Sequence, residues 1–197
     1  MSEEQTRIGL EIHPLTAERW ADLESLFGPR GACAGCWCMY WRLGHAEFSS
    51  MSGEGNRFAL RQIVETGEVP GLLAYAGGKA VGWVAVEPRA EFPRLGRSRI
   101  LKPVDEQPVW SIVCFFVAKT SRKQGLSVHL LTEAVRFAAE QGAKIVEGYP
   151  VDPRDGDYPD AFAYIGTVSA FRQAGFKEVL RRSEKRPIMR YLIESQS

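Results

Sequence analysis

The sequence predicts an α/β fold, also classed as α+β, with a mixed, mostly antiparallel central sheet of about six to seven strands. Three observations lead to this class. Two apolar strands flank Gly77-Gly78 and predict an antiparallel hairpin. A buried strand over 109–118 is followed by a helix and a second strand over 144–149, the pattern of a parallel crossover unit. Two further strands, over 176–182 and 187–193, end the chain.

The first half of the chain predicts a strand and two helices before the hairpin. Residues 8–13 alternate in polarity as a strand does, and a helix follows that ends at Gly28. Asn56 is a typical N-cap for the second helix. Residues 31–55, between the two helices, predict irregular structure. The strands of the hairpin span 72–75 and 81–86.

The second half contains a long connection and a late helix. Residues 88–108 exceed the ~12 to 15 residues usual for structureless loops, and such loops are often functional. The helix after the buried strand ends at Gly142. An acidic loop, 152–160, then leads to a helix over 161–174, and two strands complete the sheet.

Composition predicts a single domain, residues 1–197, in the cytoplasm. The 25 basic and 24 acidic residues give a net charge of +1, so no general field attracts nucleic acid or a membrane surface. The longest apolar stretch is about half of the ~20 residues that a membrane span needs, and the first residues are too polar for a secretory signal. The four cysteines do not form a secreted disulfide pattern.

The turn that follows the buried strand has the features of a phosphate-binding loop. It reads Arg122-Lys123-Gln124-Gly125-Leu126-Ser127. Helix N-termini attract anions through their N–H groups and dipole, Gly125 allows close approach, and two cations add charge. On these grounds alone, a solvated basic turn is an equally good interpretation.

Two motifs resemble those of the GCN5-related N-acetyltransferase (GNAT) superfamily. Residues 117–127 carry R-x-x-G-x-G/A, with serine at the last position, and are similar to its acetyl-CoA signature; residues 169–176 resemble its late helix, which ends in Gly-Phe. The resemblance covers nearly the whole chain. It implies helices on both faces of the sheet and acetyl-CoA as co-substrate. The expected coenzyme A contacts are Phe115, Val117, Arg122, Lys123, Gln124, Gly125, Leu126 and Ser127.

The chain departs from the superfamily pattern at the loop and at the positions of acid and base. Ser127 replaces a glycine or alanine, and its small hydroxyl could bind a phosphate. Phe171 lies where many members have a tyrosine that protonates the departing thiolate. Ser111 and Val113 occupy positions where several members carry the general base, and neither titrates near neutral pH.

Three residues are candidates for the proton chemistry. Glu147 lies on the strand beside the cofactor strand, and Glu87 ends the second strand of the hairpin. Either carboxylate could instead pair with a nearby arginine. Tyr164 matches an asparagine that often contacts the pantetheine arm in the superfamily, so it could protonate the thiolate, although a core aromatic is an equally good interpretation.

Residues 31–42 concentrate thiols and large aromatic rings, which indicates that something is packed or bound there. The thiols are Cys33, Cys36 and Cys38, and the aromatic residues are Trp37, Tyr40 and Trp41. Metal binding with His45 or Cys114 as fourth ligand, and reactive or redox thiols, both remain open. We favour a substrate-binding wall, in which cysteines act as small hydrophobes and Trp37, Tyr40 and Trp41 line the acceptor pocket; no metal is expected.

These observations favour an acyl-CoA-dependent N-acetyltransferase that transfers an acetyl group to an amine, expected to be a small molecule, by direct attack on the thioester. The alternative is a module that binds acyl-CoA, or a metal through its cysteines, without turnover. No nucleic-acid or membrane partner is expected. A homodimer is compatible with the sequence.

Overall fold

The computed structural model describes residues 9–152 and 164–194 as one seven-stranded sheet with helices. The strands are β1 Leu10–Pro14, β2 Gly71–Ala76, β3 Lys79–Pro88, β4 Trp110–Val117, β5 Ile145–Gly148, β6 Lys177–Arg181 and β7 Pro187–Leu192. The α-helices in the described residues are α1 Trp20–Phe27, α2 His45–Ser50, α3 Glu54–Glu65, α4 Pro93–Arg97, α5 Leu126–Glu140 and α6 Val168–Gln173.

The strand order is β1-β2-β3-β4-β5-β7-β6, and β4 with β5 is the parallel pair among these strands. Helix α5 makes the crossover between those two strands. The neighbouring pairs β1–β2, β2–β3, β3–β4, β5–β7 and β6–β7 are antiparallel. The predicted mixed, mostly antiparallel sheet is therefore confirmed.

Helices cover both faces of the sheet, as expected. Trp83 and Val84, adjacent on β3, are both fully buried, but their side chains enter different cores because successive side chains of a strand alternate between faces. Helices α1 and α3 close the core around Trp83, whereas α5 and α6 close the core around Val84. No helix of the described residues has the length and apolar character that a membrane crossing requires.

Asn56 does not cap a helix, contrary to the sequence prediction. Helix α3 already begins at Glu54, and Asn56 lies fully buried in its first turn. Its side-chain amide donates to the backbone carbonyls of Gly35, at 2.9 Å, and Phe48. Asn56 thus holds residues 31–42, the cysteine-rich segment, against α3. This role depends on tertiary contacts, so no local sequence pattern predicts it.

The late helix begins later than predicted. Helix α6 begins at Val168, because Thr167 caps it by accepting a hydrogen bond from the backbone N–H of Ala170. Residues 164–167 are not α-helical, and Thr167 forms an isolated parallel bridge with Val151. The predicted residues 161–163, like most of the acidic loop, lie outside the described residues.

Two segments predicted to be irregular contain short helices. The segment 31–55 includes α2, and the long connection 88–108 includes α4 and a 3-10 turn over Arg89–Glu91. Leu95 of α4 is fully buried against the same core as Trp83. The connection is therefore a packed part of the fold, because its apolar side chains have a core to enter.

Candidate active site

Strand β4 carries a β-bulge at the point where it separates from β5. Cys114 pairs with Ala85 and Ile112 pairs with Val86, which leaves Val113 as an extra residue. Pairing between β4 and β5 also ends at Ile112. Beyond that point the edge of β4 that faces away from β3 has no strand partner in the described part of the chain. Its backbone groups are therefore available to a ligand.

The loop after β4 directs the start of α5 toward this open edge. Gly125 occupies the N-cap position with a φ of 75°, in the left-handed region that glycine adopts without strain. Arg122 donates from Nε to the carbonyl of Val117 at 3.1 Å, which fixes the loop to the end of the strand. The first turn of α5 therefore borders a groove. Free N–H groups at a helix N-terminus beside a groove are an arrangement that binds phosphate groups in proteins.

This donor groove has a volume of about 480 Å³ and is walled by β4, the loop and α6. Seven of the eight predicted coenzyme A contacts line it; they are Phe115, Val117, Arg122, Lys123, Gly125, Leu126 and Ser127. Gln124 is the exception, because its side-chain amide donates to the carbonyl of Thr120. A further wall, formed by Thr167, Ser169 and Gln173, was not predicted from the sequence.

A second cavity of about 410 Å³ is lined by Val113 and Cys114 of β4, next along the strand from the residues that line the donor groove. The cysteine-rich segment builds one wall of this cavity, with Tyr40 and Trp41, and the bulge residue Val113 builds another; we call it the acceptor cavity after the substrate wall predicted from the sequence. All four cysteines line it; they are Cys33, Cys36, Cys38 and Cys114. Arg186, from the turn between β6 and β7, also lines it and has its guanidinium over the ring of Trp41.

Trp37 lies away from this cavity. Its side chain is almost fully buried, 6.1 Å from the ring of Trp20 in a stacked arrangement and 5.5 Å from that of Phe27. It therefore belongs to the core beneath the acceptor wall. A sequence pattern alone could not separate it from Tyr40 and Trp41, because the segment has no regular period.

Tyr164 lies between the two cavities and lines both of them. Its ring stacks on that of Phe116, with ring planes 8° apart. Burial, together with a hydrogen bond to the Cys33 thiol, raises the pKa of Tyr164 to about 12. The phenol therefore stays protonated at neutral pH.

Glu147 is held in a buried ion-pair network and does not line either cavity. Its Oε1 accepts from Arg89 at 2.9 Å and from the Tyr149 hydroxyl at 2.7 Å, and its Oε2 accepts from Arg190 at 2.7 Å. The Tyr149 hydroxyl also lies 2.9 Å from Ser111 Oγ. Each oxygen of the carboxylate thus has an arginine partner, which favours a structural role.

Glu87 also has an arginine partner. It is buried and forms an ion pair with Arg42, whose side chain is buried as well and lies 4.9 Å from the ring of Phe92. Burial lowers the pKa of Arg42, although nearby carboxylates oppose that effect. The pair links the cysteine-rich segment to the end of β3.

Phe171, at the position of the superfamily tyrosine, is fully buried and packs on β5. A Cβ added to Gly148 would lie only 2.1 Å from Cε1 of Phe171, so the ring occupies the space directly above that glycine. Phe115 and Phe176 surround it with edge-to-face contacts. A ring enclosed in this way contributes packing and has no proton to donate.

The thiols do not form a metal centre in the structure. Across residues 9–152 and 164–194, no three His, Cys, Asp or Glu side chains are arranged so that they could hold a metal ion. Of the acidic loop, the structure describes Asp152, which forms an ion pair with Arg181 at 2.9 Å.

Solved structures with the same fold are numerous and distant in sequence. One is the PaiA N-acetyltransferase of Thermoplasma acidophilum in complex with coenzyme A (15% identity, TM-score 0.54, covering 93% of this chain and 99% of that one). Another is the ribosomal-protein-alanine N-acetyltransferase of Brucella melitensis (14%, 0.52, 93% and 99%). A third is a GNAT-family acetyltransferase of Streptococcus agalactiae (11%, 0.56, 95% and 97%). At these identities the similarity establishes the fold alone.

Sequence comparison supplies the family. None of the curated protein sequences matches the chain significantly. The model of the acetyltransferase (GNAT) family matches residues 37–153, more than half of the chain and including the bulged strand and the loop at the start of α5. The chain therefore belongs to the acetyltransferase (GNAT) family.

Proposed function

We propose that the chain is an acetyl-CoA-dependent N-acetyltransferase whose acceptor is a small amine with an apolar body. The observation that carries this proposal is the meeting of two cavities at Tyr164, beside the open edge of β4. One cavity has the basic loop and helix start that suit a diphosphate. The other has a wall of thiols and aromatic rings that suits an apolar acceptor.

Acetyl-CoA would bind with its diphosphate at the loop over 122–127 and its pantetheine arm along β4. The thioester would then reach the bulge at Val113, where backbone N–H groups of the open strand edge can hold the carbonyl oxygen. Such fixed donors stabilise the oxyanion of a tetrahedral intermediate. Coenzyme A in the PaiA structure supports the choice of donor.

The reaction that fits this site is direct attack of a neutral amine on the thioester carbonyl. The carbon–sulfur bond then breaks, coenzyme A leaves as a thiolate, and Tyr164 supplies the proton that the sulfur takes. Of the three catalytic candidates, Tyr164 is the one that we retain. Glu147 and Glu87 have arginine partners, so we assign proton removal to solvent or to an amine that arrives neutral.

The test combines donor binding with an acceptor screen. We expect acetyl-CoA to raise the melting temperature, and coenzyme A release to appear with apolar amines such as phenethylamine before polyamines or aminoglycosides. Peptides with a free N-terminal alanine belong in the same panel, because a distant structural relative acts on a ribosomal protein. Preference for the peptides would contradict the small-molecule acceptor, and no thermal shift at millimolar acetyl-CoA would contradict the proposal as a whole.

A second candidate is an acyl-CoA-binding module without turnover. Phe171, which has no hydroxyl, and the two arginine-paired carboxylates favour it. Tight binding of acetyl-CoA with no product from any amine or peptide would support this candidate, whereas turnover that depends on Tyr164 would exclude it.

A further inference from the structure

Two of the four thiols around the acceptor cavity are in direct contact. The sulfur atoms of Cys38 and Cys114 lie 3.2 Å apart, although 76 positions separate the two residues in the sequence. Cys38 belongs to the cysteine-rich segment and Cys114 to the bulged strand β4. Both thiols are reduced in this structure, and both line the acceptor cavity.

The surroundings hold this pair in place. The indole Nε1 of Trp83 donates to the sulfur of Cys38 at 3.1 Å, on the same sulfur that contacts Cys114. Cys38 has a φ of 57°, and Ala32, Ala34 and Trp37 also adopt left-handed conformations. The segment therefore has a tightly wound backbone that keeps its thiol against β4.

Cys114 and Cys36 are poor nucleophiles in this environment. The hydrogen bond with Cys38 and burial raise the pKa of Cys114, and burial raises the pKa of Cys36 to about 12. A thiol attacks only as its thiolate, so acetyl transfer through Cys114 or Cys36 is disfavoured. Attack on a peroxide by these two thiols is slow for the same reason, whereas the S–S bond then forms readily because the sulfur atoms of Cys38 and Cys114 are already in contact.

We propose that Cys38 and Cys114 are a redox modification site, which a small peroxide converts to a disulfide that restricts the acceptor cavity. Hydrogen peroxide oxidises one thiol to a sulfenic acid and is itself reduced to water. The second thiol then attacks that sulfur, forms the S–S bond and releases a second water. Two electrons and two hydrogens leave the pair. A dithiol reverses the reaction by exchange.

The disulfide would act on the acceptor side of the site. Bond formation brings the two sulfur atoms about 1 Å closer than the observed contact. That movement draws the wall formed by Tyr40 and Trp41 against the bulge at Val113, where we place the thioester. Because a shift of ~1 Å in a catalytic geometry can reduce a rate by about 10²-fold, we expect a loss of that order in amine turnover.

The decisive measurement is a peptide map of the full chain after limited treatment with hydrogen peroxide. We expect an intact mass lower by two hydrogens, loss of two of the four titratable thiols, and a cross-linked pair of peptides that contain Cys38 and Cys114. The Cys33→Ser/Cys36→Ser variant should form the same cross-link. The matched variant Cys114→Ser should not. Four free thiols after treatment, or a bond between Cys33 and Cys36, would overturn the assignment.

A second measurement tests the consequence of the bond and rests on the proposed function. The oxidised chain should retain its thermal shift with acetyl-CoA, since the donor groove lies on the other side of Tyr164, and should lose about 10²-fold in amine turnover. A dithiol should restore turnover. Full activity in a chain whose cross-link has been verified would overturn the restricting role, while absence of activity in the reduced chain would instead contradict the proposed function.

Discussion

Arg190 on β7 donates from Nε to Oε2 of Glu147 on β5 across 2.7 Å, and both side chains are almost fully buried. The two residues are direct cross-strand partners. Arg89, from the turn after β3, reaches the other oxygen of the same carboxylate. Glu147 therefore connects β5 to β7 through Arg190 and to the turn after β3 through Arg89. It lies next to the point where β4 and β5 separate, so these ion pairs stabilise the sheet beside the two cavities.

Glu147→Gln should destabilise the fold more than it affects the chemistry. The substitution removes the charge that pairs with Arg89, whereas Arg190 keeps Asp105, and loss of one partner from a buried ion pair costs about 3 to 5 kcal/mol in the free energy of unfolding. Urea unfolding measures this value. The control Glu65→Gln removes an exposed pair with Arg61 and should change it by less than about 0.5 kcal/mol. A stable Glu147→Gln enzyme that has lost more than about 10²-fold in kcat would identify Glu147 as the base.

Asp105 should make stability depend on pH in the acidic range. Its hydrogen bond with Arg190 holds the pKa of this carboxyl below the ordinary value. A lowered folded-state pKa contributes stability that is present above the unfolded pKa, about 4, and is lost as pH falls through the folded value. The melting temperature should thus exceed that of Asp105→Asn at pH 7, with the difference shrinking below about pH 4. A difference that stays constant down to pH 2.5 would contradict this assignment.

Arg122→Ala should weaken acetyl-CoA binding. The side chain lines the donor groove and positions the loop through the carbonyl of Val117. Loss of a charge-assisted contact of ~1.5 to 3 kcal/mol predicts a Kd about 10 to 100 times higher, measured by calorimetry. Lys119→Ala is the matched control, because this nearby exposed cation does not line the groove. Equal increases in Kd for the two substitutions would show that Arg122 contributes only positive charge near the groove and no specific contact.

Tyr164→Phe should lower kcat without a large change in the KM for acetyl-CoA. Removal of the hydroxyl keeps the stacked ring on Phe116 but takes away the proton donor, and such donors contribute about 10² to 10⁴-fold. Steady-state kinetics with the best amine from the screen measures both constants. Tyr191→Phe, which removes a hydroxyl from a ring packed on Phe176 away from both cavities, should match the wild type. An unchanged kcat in Tyr164→Phe would exclude the tyrosine as acid.

Gly148→Ala should destabilise the fold, since the added methyl group would overlap the ring of Phe171. Overpacking of this kind costs about 1 to 3 kcal/mol because the ring is enclosed and cannot move away freely. Thermal unfolding should show a lower melting temperature than for Gly96→Ala, where no atom lies within 4 Å of the new Cβ. A melting temperature equal to that of the control would show that the Phe171 ring can move to accommodate the methyl group.

The donor side was readable from the sequence because its signals are local. A buried strand, a glycine turn and an amphipathic helix follow one another between Val109 and Gly142, so their spacing alone predicts where an anion would bind. The same holds for the hairpin at Gly77-Gly78. Strand pairing in this part of the sheet follows from chain order and period.

The acceptor side could not be read in this way because its residues come from distant parts of the chain. Cys114 and Cys38 are brought together by the packing of residues 31–43 on the sheet, and Trp37 is turned into the core within the same segment. The arginine partners of Glu147 come from Arg89 and Arg190. No periodicity connects such positions.

The sequence by itself predicted the order of the strands and longer helices, a basic glycine turn suited to a phosphate, and the family, since each depends on residues close together in the chain. Tertiary structure alone decided which carboxylates pair with arginine, which thiols are in contact and which tyrosine lies between the cavities. The physical reason is that burial and charge pairing are properties of the surroundings of a side chain, and those surroundings exist only after the sheet has closed its two cores.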